Sequence, residues 1–326
     1  MGGTVIFSKL IFLGALEQGF IYALVALALF LSFSILNIAD LSTDGCFTLG
    51  CAVSAIVTVG GHPVLGLFAA MLAGVCSGFV TAILQTKLGV ESILAGIIVN
   101  TGLYTINMAV MGFVANVNVF GCDTVFTKAK DKLPMEYSKL IIIVSIVVII
   151  GLFLAIFLKT KLGLSIRATG DNVHMVRASS INPAFTITVG LCVANALTAL
   201  SGGILAQYQK SANIDVGTGM VTIGLASLII GETLFSKRSI RTRIVGVILG
   251  SCLYRIVIAL ALRLNIPADF LKLISASIVA IAIIIPYMKN KTRFWINRRN
   301  SNKEIESIED QEDMWYVKNY KCIKDL

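Results

Sequence analysis

The chain has few charged side chains. Only 14% of its 326 residues are Asp, Glu, Lys or Arg, whereas the apolar set AVILMFWYC makes up 56%, and the mean hydropathy is +0.87. Soluble domains carry about a quarter charged residues, because polar surface has to cover their cores. The shortage of charge therefore excludes a large soluble domain and indicates a membrane protein.

Recognisable catalytic motifs are also missing. The sequence contains no HExxH, GxSxG or GxxxxGK[ST] segment. Its two histidines, His62 and His174, fall on opposite sides of the membrane in the topology given below. The seven cysteines lie mostly in apolar runs without a CxxC pair, so we interpret them as buried small side chains. These absences argue against an enzyme, and we expect no cofactor and no metal on this chain.

The chain offers instead a series of apolar runs of about 20 residues, the length that crosses a hydrocarbon core of about 30 Å. They predict helices at 10–36, 43–60, 63–84, 92–113, 139–158, 183–207, 218–235, 243–262 and 270–288. The second run is ambiguous, because Asp40, Asp44 and Gly45 lie near its start and could mark a broken or re-entrant helix. The expected fold is an all-α polytopic membrane protein with about eight to ten transmembrane helices.

Basic residues predict the orientation, because lysine and arginine beside short loops stay on the cytoplasmic side. The connection 159–183 is basic, and its assignment to the cytoplasm places most other basic clusters there. These are Lys87, then Lys237, Arg238, Arg241 and Arg243, then Lys289, Lys291, Arg293, Arg298 and Arg299. The opposite side carries Lys128, Lys130, Lys132 and Lys139, diluted by acidic residues, together with Lys210, Arg263 and Lys272.

This topology divides the chain into a transmembrane domain at residues 1–288 and a cytoplasmic C-terminal tail at 289–326. The basic start of the tail should lie against anionic lipid and its acidic end in water. The net charge of +9 thus reflects topology and contact with membrane lipid, and a nucleic-acid partner is not expected. The first apolar run is too long for a signal peptide and is interpreted as a retained span.

Two GxxxG motifs, GVCSG at 74–78 and GVILG at 246–250, predict close helix contacts, and Ser227 and Gly231 have the same spacing. Small residues allow two helices in lipid to approach closely. The contacts could be intramolecular or between two copies of the chain.

Polar residues inside the runs are the candidates for a solute pathway, because their burial in a membrane is costly. Asn100, Tyr104 and Asn107 share one helix face. The full candidate set is Asp40, Asp44, Asn100, Tyr104, Asn107 and Asn195. The asparagines could equally hold helices together by hydrogen bonds. Arg255 is expected to neutralise a buried carboxylate or to reach the surface, and Glu232 to be solvated.

The segment KTKLGLSIRATGDNVHMVRASSINP at 159–183 is a polar, basic island between two apolar runs. We expect a short helix at 163–169 that Gly170 ends, then a second short helix that Asp171 caps. Asn182 and Pro183 should start the next span. These elements would form a helical elbow at the cytoplasmic surface, with Arg167 and Arg177 available to a partner. The alternative is a loop that is basic only to set the topology.

Several segments resemble one family of permeases. GLSIRATGDNVHMVRASSIN (163–182) and GALEQGFIYALVALALFLSFSILNIADLSTDGCFTLGCAV (14–53) are similar to permeases of ATP-binding-cassette (ABC) importers of the branched-chain amino-acid and ribose type. ILAGIIVNTGLYTINMAVMG (93–112), IGLASLIIGETLF (223–235) and LYRIVIALALRLNIPADFLKLISA (253–276) resemble a branch encoded with tryptophan- or tyrosine-type binding proteins. The resemblance covers roughly residues 10–288, and the C-terminal tail departs from it.

The resemblance implies a permease of a type II-like ABC importer in the bacterial cytoplasmic membrane. It implies a second permease copy, identical or different, two cytosolic ATPase subunits that hold ATP, and an extracytoplasmic solute-binding protein. The solute would be small, with an aromatic amino acid weakly favoured. The coupling contact with the ATPase would comprise Ser165, Ile166, Arg167, Ala168, Thr169, Gly170, Asp171 and Arg177. The competing hypothesis is an ion-coupled secondary transporter that uses Glu17, Asp40 and Asp44 as ion sites.

Overall fold

A computed structural model describes residues 9–130, 137–235 and 239–263, together with isolated positions between 270 and 288. Its helices are α1 (Lys9–Leu29), α2 (Thr43–Val59), α3 (Pro63–Thr86), α4 (Ser92–Val110), α5 (Val125–Lys130), α6 (Ser138–Phe157), α7 (Lys161–Asp171), α8 (Val173–Ala178), α9 (Pro183–Gln209), α10 (Met220–Leu234) and α11 (Ile240–Arg263). A π-helical turn, Phe30–Ile35, continues α1. Two short strands, β1 (Asn116–Asn118) and β2 (Ser211–Asn213), pair antiparallel with Val117 opposite Ala212.

Eight of the nine predicted apolar runs are helices, with ends that differ from the prediction by a few residues. In the described part of the chain, six helices are long and apolar enough to cross a membrane, and two more, α2 and α10, are apolar but shorter. The run 270–288 lies mostly outside the described residues, as do the tail 289–326 and the basic residues Lys132, Lys237 and Arg238. Helix α5 and the β1–β2 pair were not predicted.

Helices α1 and α9 lie at the centre of the bundle. Their most apolar windows are 78% and 83% buried, whereas those of α4 and α6 are 28% buried. The two central helices run antiparallel, because Ser201 Oγ on α9 donates to the Ile21 carbonyl oxygen at 2.7 Å and the Tyr208 phenol OH donates to Glu17 Oε2 at 2.8 Å. The start of α9, which follows the basic island, therefore lies near the end of α1.

Both GxxxG motifs are helix contacts within the chain. A Cβ atom built at Gly74 or Gly78 on α3 would lie 2.4 and 2.6 Å from carbonyl oxygens of α9. A Cβ at Gly250 on α11 would lie 2.3 Å from the Ser227 carbonyl oxygen of α10, and one at Gly231 would lie 2.4 Å from that of Gly246. The backbones touch at these positions, so the small residues confirm the predicted close packing.

The polar break after α1 produces a broken helix, which decides the ambiguity of the second run. The chain is not helical between the end of the π-helical turn and Thr43, where α2 starts. This start lies beside Asn195, near the middle of α9, because Cys46 Sγ contacts the Asn195 carbonyl oxygen at 3.3 Å. Helix α10 also starts inside the molecule, next to Asp44 of α2. Two shortened helices thus begin inside the bundle, where their free backbone groups need partners from the protein.

Candidate functional site

Asp40 and Asn195 fasten the start of α2 to α9. Asp40 Oδ1 accepts hydrogen bonds from the Ser42 backbone N–H at 2.8 Å and from Ser42 Oγ at 2.6 Å. Its other oxygen, Oδ2, accepts from Asn195 Nδ2 at 2.8 Å. All three side chains are buried. Asn195 on α9 thus hydrogen-bonds the segment that leads into α2, which fits the prediction that it holds parts of the bundle together.

Asp44 caps α10, although the two are far apart in the sequence. Its two carboxylate oxygens accept hydrogen bonds from Gly219 N–H at 3.0 Å and from Val221 N–H at 2.8 Å. These N–H groups belong to the first turn of α10, where a carboxylate also meets the positive end of the helix dipole. A Cβ built at Gly217 would lie 2.1 Å from the Asp44 carbonyl oxygen, so only glycine fits there. We call Asp44, Gly217, Gly219 and Val221 the interior junction.

A polar pocket of about 280 Å³ opens beside the interior junction, between α2, α4 and the segment that leads into α10. Its walls comprise Asp44, Gly45, Thr48, Asn100, Thr101, Tyr104, Asn107, Ile214, Asp215, Gly217 and Thr218. The pocket brings together four predicted pathway residues, Asp44, Asn100, Tyr104 and Asn107. Asp40 and Asn195 are not among the lining residues. Thr101 and Asp215 were not predicted. Asp215 could have been found, because it is an acidic residue close to the start of the predicted span 218–235.

The pocket is acidic and rich in acceptors. Its charged lining residues are Asp44 and Asp215, and the named lining contains no lysine, arginine or histidine. Asn107 is 1% exposed; its Nδ2 donates to the Gly45 carbonyl oxygen at 3.1 Å, while its Oδ1 has no hydrogen-bond partner. Tyr104 is 51% exposed. The site therefore presents unused oxygen acceptors and an accessible aromatic ring.

The elbow, formed by α7 and α8, differs in detail from its prediction. Helix α7 extends through Asp171, so Gly170 lies inside it instead of ending it. Asn172, and not Asp171, caps α8, because its Oδ1 accepts from the N–H groups of His174 and Met175 at 3.0 and 3.1 Å. The predicted start of the next span is confirmed, since Asn182 Oδ1 accepts from Ala184 N–H at 3.0 Å and Pro183 is the first residue of α9.

The inner face of α7 is packed against the core. Ile166 and Thr169 are buried, and Thr169 Oγ1 lies 2.8 Å from Thr186 Oγ1 of α9. A Cβ built at Gly170 would lie 1.9 Å from the Ile35 carbonyl oxygen, so the backbone of α7 rests on the end of the π-helical turn. The resemblance implies a contact of Ile166, Thr169 and Gly170 with the ATPase. In this chain Ile166 and Thr169 are buried and Gly170 is half-buried against the π-helical turn, so all three also hold the elbow on the bundle.

The outer face of the elbow combines charged and apolar groups. Asp171 and Arg177 are exposed, whereas Ser165, Arg167 and Ala168 are half-buried. Leu162, Leu164 and Met175 are also exposed, at 44%, 51% and 55%. These three residues were not predicted to be functional. Their apolar side chains within a polar segment could have indicated a contact surface.

Glu232 and Arg243 form an ion pair at the same end of the bundle. Ser34 Oγ in the π-helical turn donates to Glu232 Oε1 at 2.8 Å and also bonds Arg243. The guanidinium carbon of Arg243 lies 4.8 Å from the centroid of the Phe30 ring. Both charged side chains are 18% exposed, so Glu232 is paired with Arg243 and only partly solvated. The pair ties the end of α1 to α10 and α11.

Arg255 and Glu17 occupy the other end of α1 and have different partners. Arg255 donates to Gln18 Oε1, and its guanidinium carbon lies 4.6 Å from the centroid of the Tyr22 ring. Glu17 accepts the hydrogen bond from Tyr208 noted above. Each of the three carboxylates considered as ion sites, Glu17, Asp40 and Asp44, is thus engaged by a donor from another helix or from a helix start.

Comparison with known proteins gives one family. The family model described as the permease component of branched-chain amino acid transport systems matches residues 11–288. The tyrosine transport system permease protein of Clostridioides difficile is 34% identical over 82% of this chain and 88% of its own length. An uncharacterized protein of Rickettsia prowazekii is 31% identical over 84% and 96%, and the ribose import permease protein of Escherichia coli K12 is 25% identical over 77% of each chain. No solved structure matches significantly.

Proposed function

We propose that this chain, which belongs to the family of permease components of branched-chain amino acid transport systems, is the membrane subunit of an ABC importer for an amino acid. The family membership makes it an all-α, multi-pass membrane protein and a transport component of an ABC-type system. Import, the amino-acid solute and the partner chains are the proposal. The observation that carries it is the elbow, whose inner face is packed on the π-helical turn and α9 while its outer face carries exposed side chains.

The outer face of the elbow has the chemistry of a docking surface. The elbow exposes the apolar side chains of Leu162, Leu164 and Met175 and the charged side chains of Asp171 and Arg177. Protein interfaces typically combine apolar anchors with a polar rim. We assign this face to a cytosolic ATPase subunit, which would hold the ATP because this sequence has no GxxxxGK[ST] segment. This places the elbow and the C-terminal tail in the cytoplasm of a bacterial cell.

A continuous set of contacts leads from the elbow to the pocket. Gly170 rests on Ile35 in the π-helical turn. The same turn carries Ser34, which bonds Glu232 at the end of α10. The other end of α10 is capped by Asp44 in the pocket wall. A push on the elbow by closing ATPases would move α1 and α10 as packed bodies and thereby open or close the pocket.

The polar pocket is the proposed solute pathway. It lies beside a break in the helices, which is where transporters bind solutes. An extracytoplasmic binding protein would deliver the solute, and a second permease copy would cover the exposed face of α4 that carries Thr101 and Tyr104. The tyrosine permease of C. difficile favours an amino acid over a sugar.

An ion-coupled secondary transporter is less well supported. Such a protein needs carboxylates that can exchange an ion. Here Asp40 bonds Asn195 and Glu17 accepts from a tyrosine, so of the three carboxylates considered only Asp44 lines the pocket. That alternative also leaves the elaborate elbow without a function.

The test is reconstitution of the chain with candidate ATPase subunits in nanodiscs. Arg177→Glu reverses one exposed charge on the elbow, and Arg241→Glu makes the same change at an exposed residue of α11 outside it. We expect Arg177→Glu to weaken complex formation and ATPase stimulation about tenfold, as for an interface charge set against its partner, while Arg241→Glu keeps both. Equal loss in the two variants would remove the elbow from the interface, and failure of the native chain to bind any ATPase would refute the proposal.

A further inference from the structure

We propose that the polar pocket binds the ammonium group of the solute, so that the transporter recognises amines and amino acids through their positive end. This inference rests on the proposed function, because it takes the pocket to be the solute pathway. It adds the chemical class of the recognised group, which the family and its relatives leave open. Three features of the pocket carry it: its charge, an unused buried acceptor and the occupied helix start.

The charge of the lining favours a cation. Asp44 and Asp215 both face the pocket, and the named lining residues include no basic group to balance them. The Asp215 side chain is exposed, so it meets whatever enters. Each carboxylate can accept about four hydrogen bonds, and the two oxygens of Asp44 use one each on Gly219 and Val221. An ammonium group brings three donors and a positive charge to these oxygens.

Asn107 supplies the independent observation. Its side chain is 99% buried, since its exposure is 1%. Its Nδ2 is committed to the Gly45 carbonyl oxygen, which leaves Oδ1 as an acceptor without a donor in the pocket wall. A buried acceptor without a partner is costly, and a donor from a ligand would remove that cost. The missing partner is therefore an N–H or O–H group.

A carboxylate would be poorly received at the same place. Helix N-termini are the usual anion sites, but the start of α10 beside the pocket already holds a carboxylate of this chain. Asp44 accepts there from the N–H groups of Gly219 and Val221. An entering anion would meet the Asp44 charge at this helix start instead of free backbone donors. The exposed ring of Tyr104 adds a surface that attracts cations.

The experiment is equilibrium binding to the purified full chain in nanodiscs, without ATPase or binding protein. Tyramine keeps the ammonium group and lacks the carboxylate, whereas 3-(4-hydroxyphenyl)propionate keeps the carboxylate and lacks the ammonium group. We expect saturable thermal stabilisation by tyramine and none by the propionate. Asp215→Asn should weaken tyramine binding about fivefold, the upper range for an exposed charge pair. Asp123→Asn removes an exposed carboxylate outside the pocket lining and should leave binding unchanged.

Four results would overturn the ammonium site. Three concern binding: absence of saturable tyramine binding, stronger binding of the propionate, and equal tyramine affinity in the native and Asp215→Asn chains. The fourth concerns salt. Tyramine binding measured in sodium chloride and in choline chloride distinguishes an amine site from a metal-ion site. If sodium competed with tyramine at equal concentrations, the pocket would be a metal-ion site and the proposal would be contradicted. The binding assay contains no ATPase, so it tests the ammonium site separately from the importer. If the chain bound tyramine but engaged no ATPase subunit, the importer proposal would be refuted and the ammonium-site proposal would stand.

Discussion

The elbow and the interior junction both start a helix at a polar break, but they find their caps at different distances along the chain. At the elbow, Asn172 caps α8 through the N–H groups two and three residues later. At the interior junction, Asp44 caps α10 although 175 residues separate it from Gly219. A local cap forms with its own helix, whereas the distant cap exists only once α2 and α10 have packed. The interior junction is therefore the place where helix packing and pocket shape depend on the same bonds.

The largest effect is expected from Gly170→Val, which separates the elbow from the core. The new side chain would clash with the Ile35 carbonyl oxygen, because even its Cβ has no room. Overpacking of this kind costs typically about 3 kcal/mol at its upper range. We expect a lower melting temperature in detergent and loss of ATPase stimulation. Gly14→Val is the control, since a Cβ at Gly14 meets nothing within 4 Å; similar losses in both variants would show that valine itself is the cause.

The second effect concerns the distant cap. Asp44→Ala leaves the Gly219 and Val221 N–H groups without acceptors inside the bundle. The free energy of unfolding should fall by about 2 kcal/mol, as for a lost cap with partly buried donors. Asp44→Asn keeps one acceptor oxygen and should lose about half as much. Thermal unfolding of the purified variants measures this, and an unchanged melting temperature for Asp44→Ala would mean that the cap contributes nothing to packing.

The smallest effect is expected at the local cap. Asn172→Ala removes one exposed acceptor and should cost about 1 kcal/mol or less, confined to α8. Hydrogen exchange at the amides of His174 and Met175 should accelerate while the melting temperature of the bundle stays the same. If Asn172→Ala instead lowered the melting temperature as much as Asp44→Ala, the distinction between a local and a distant cap would fail.

This distinction also explains what the sequence could predict. Apolar runs of sufficient length gave eight helices with nearly correct ends, and GxxxG spacing predicted close contacts of α3 and α11, because both signals lie within one segment. The partner helices of these contacts came only from the structure. Asn182 and Pro183 marked a helix start for the same reason. The cap of α10 by Asp44 and the ion pair of Glu232 with Arg243 could not be foreseen, since each joins residues whose distance is set by packing.

The candidate site was also predicted only in part from the sequence. Asn100, Tyr104 and Asn107 were grouped correctly because helical periodicity places them on one face. Their meeting with Asp44 and Asp215 depends on how α4 and the segment before α10 pack on α2, which no local pattern reports. At the elbow, the island itself was evident, but its inner and outer faces were not. Ile166 and Thr169 are buried, and Gly170 rests on the π-helical turn, because this turn and α9 lie directly beneath α7.

The central claim is that the elbow and the interior junction move together, and hydrogen exchange in the assembled complex tests it most directly. The measurement compares a peptide covering 214–222, which contains the N–H groups that Asp44 caps, in nucleotide-free complexes and in complexes trapped with ATP. The account predicts that ATP changes exchange in this peptide in the native chain and in Gly14→Val, but not in Gly170→Val. A change confined to the elbow, with 214–222 unaffected in the native complex, would contradict it.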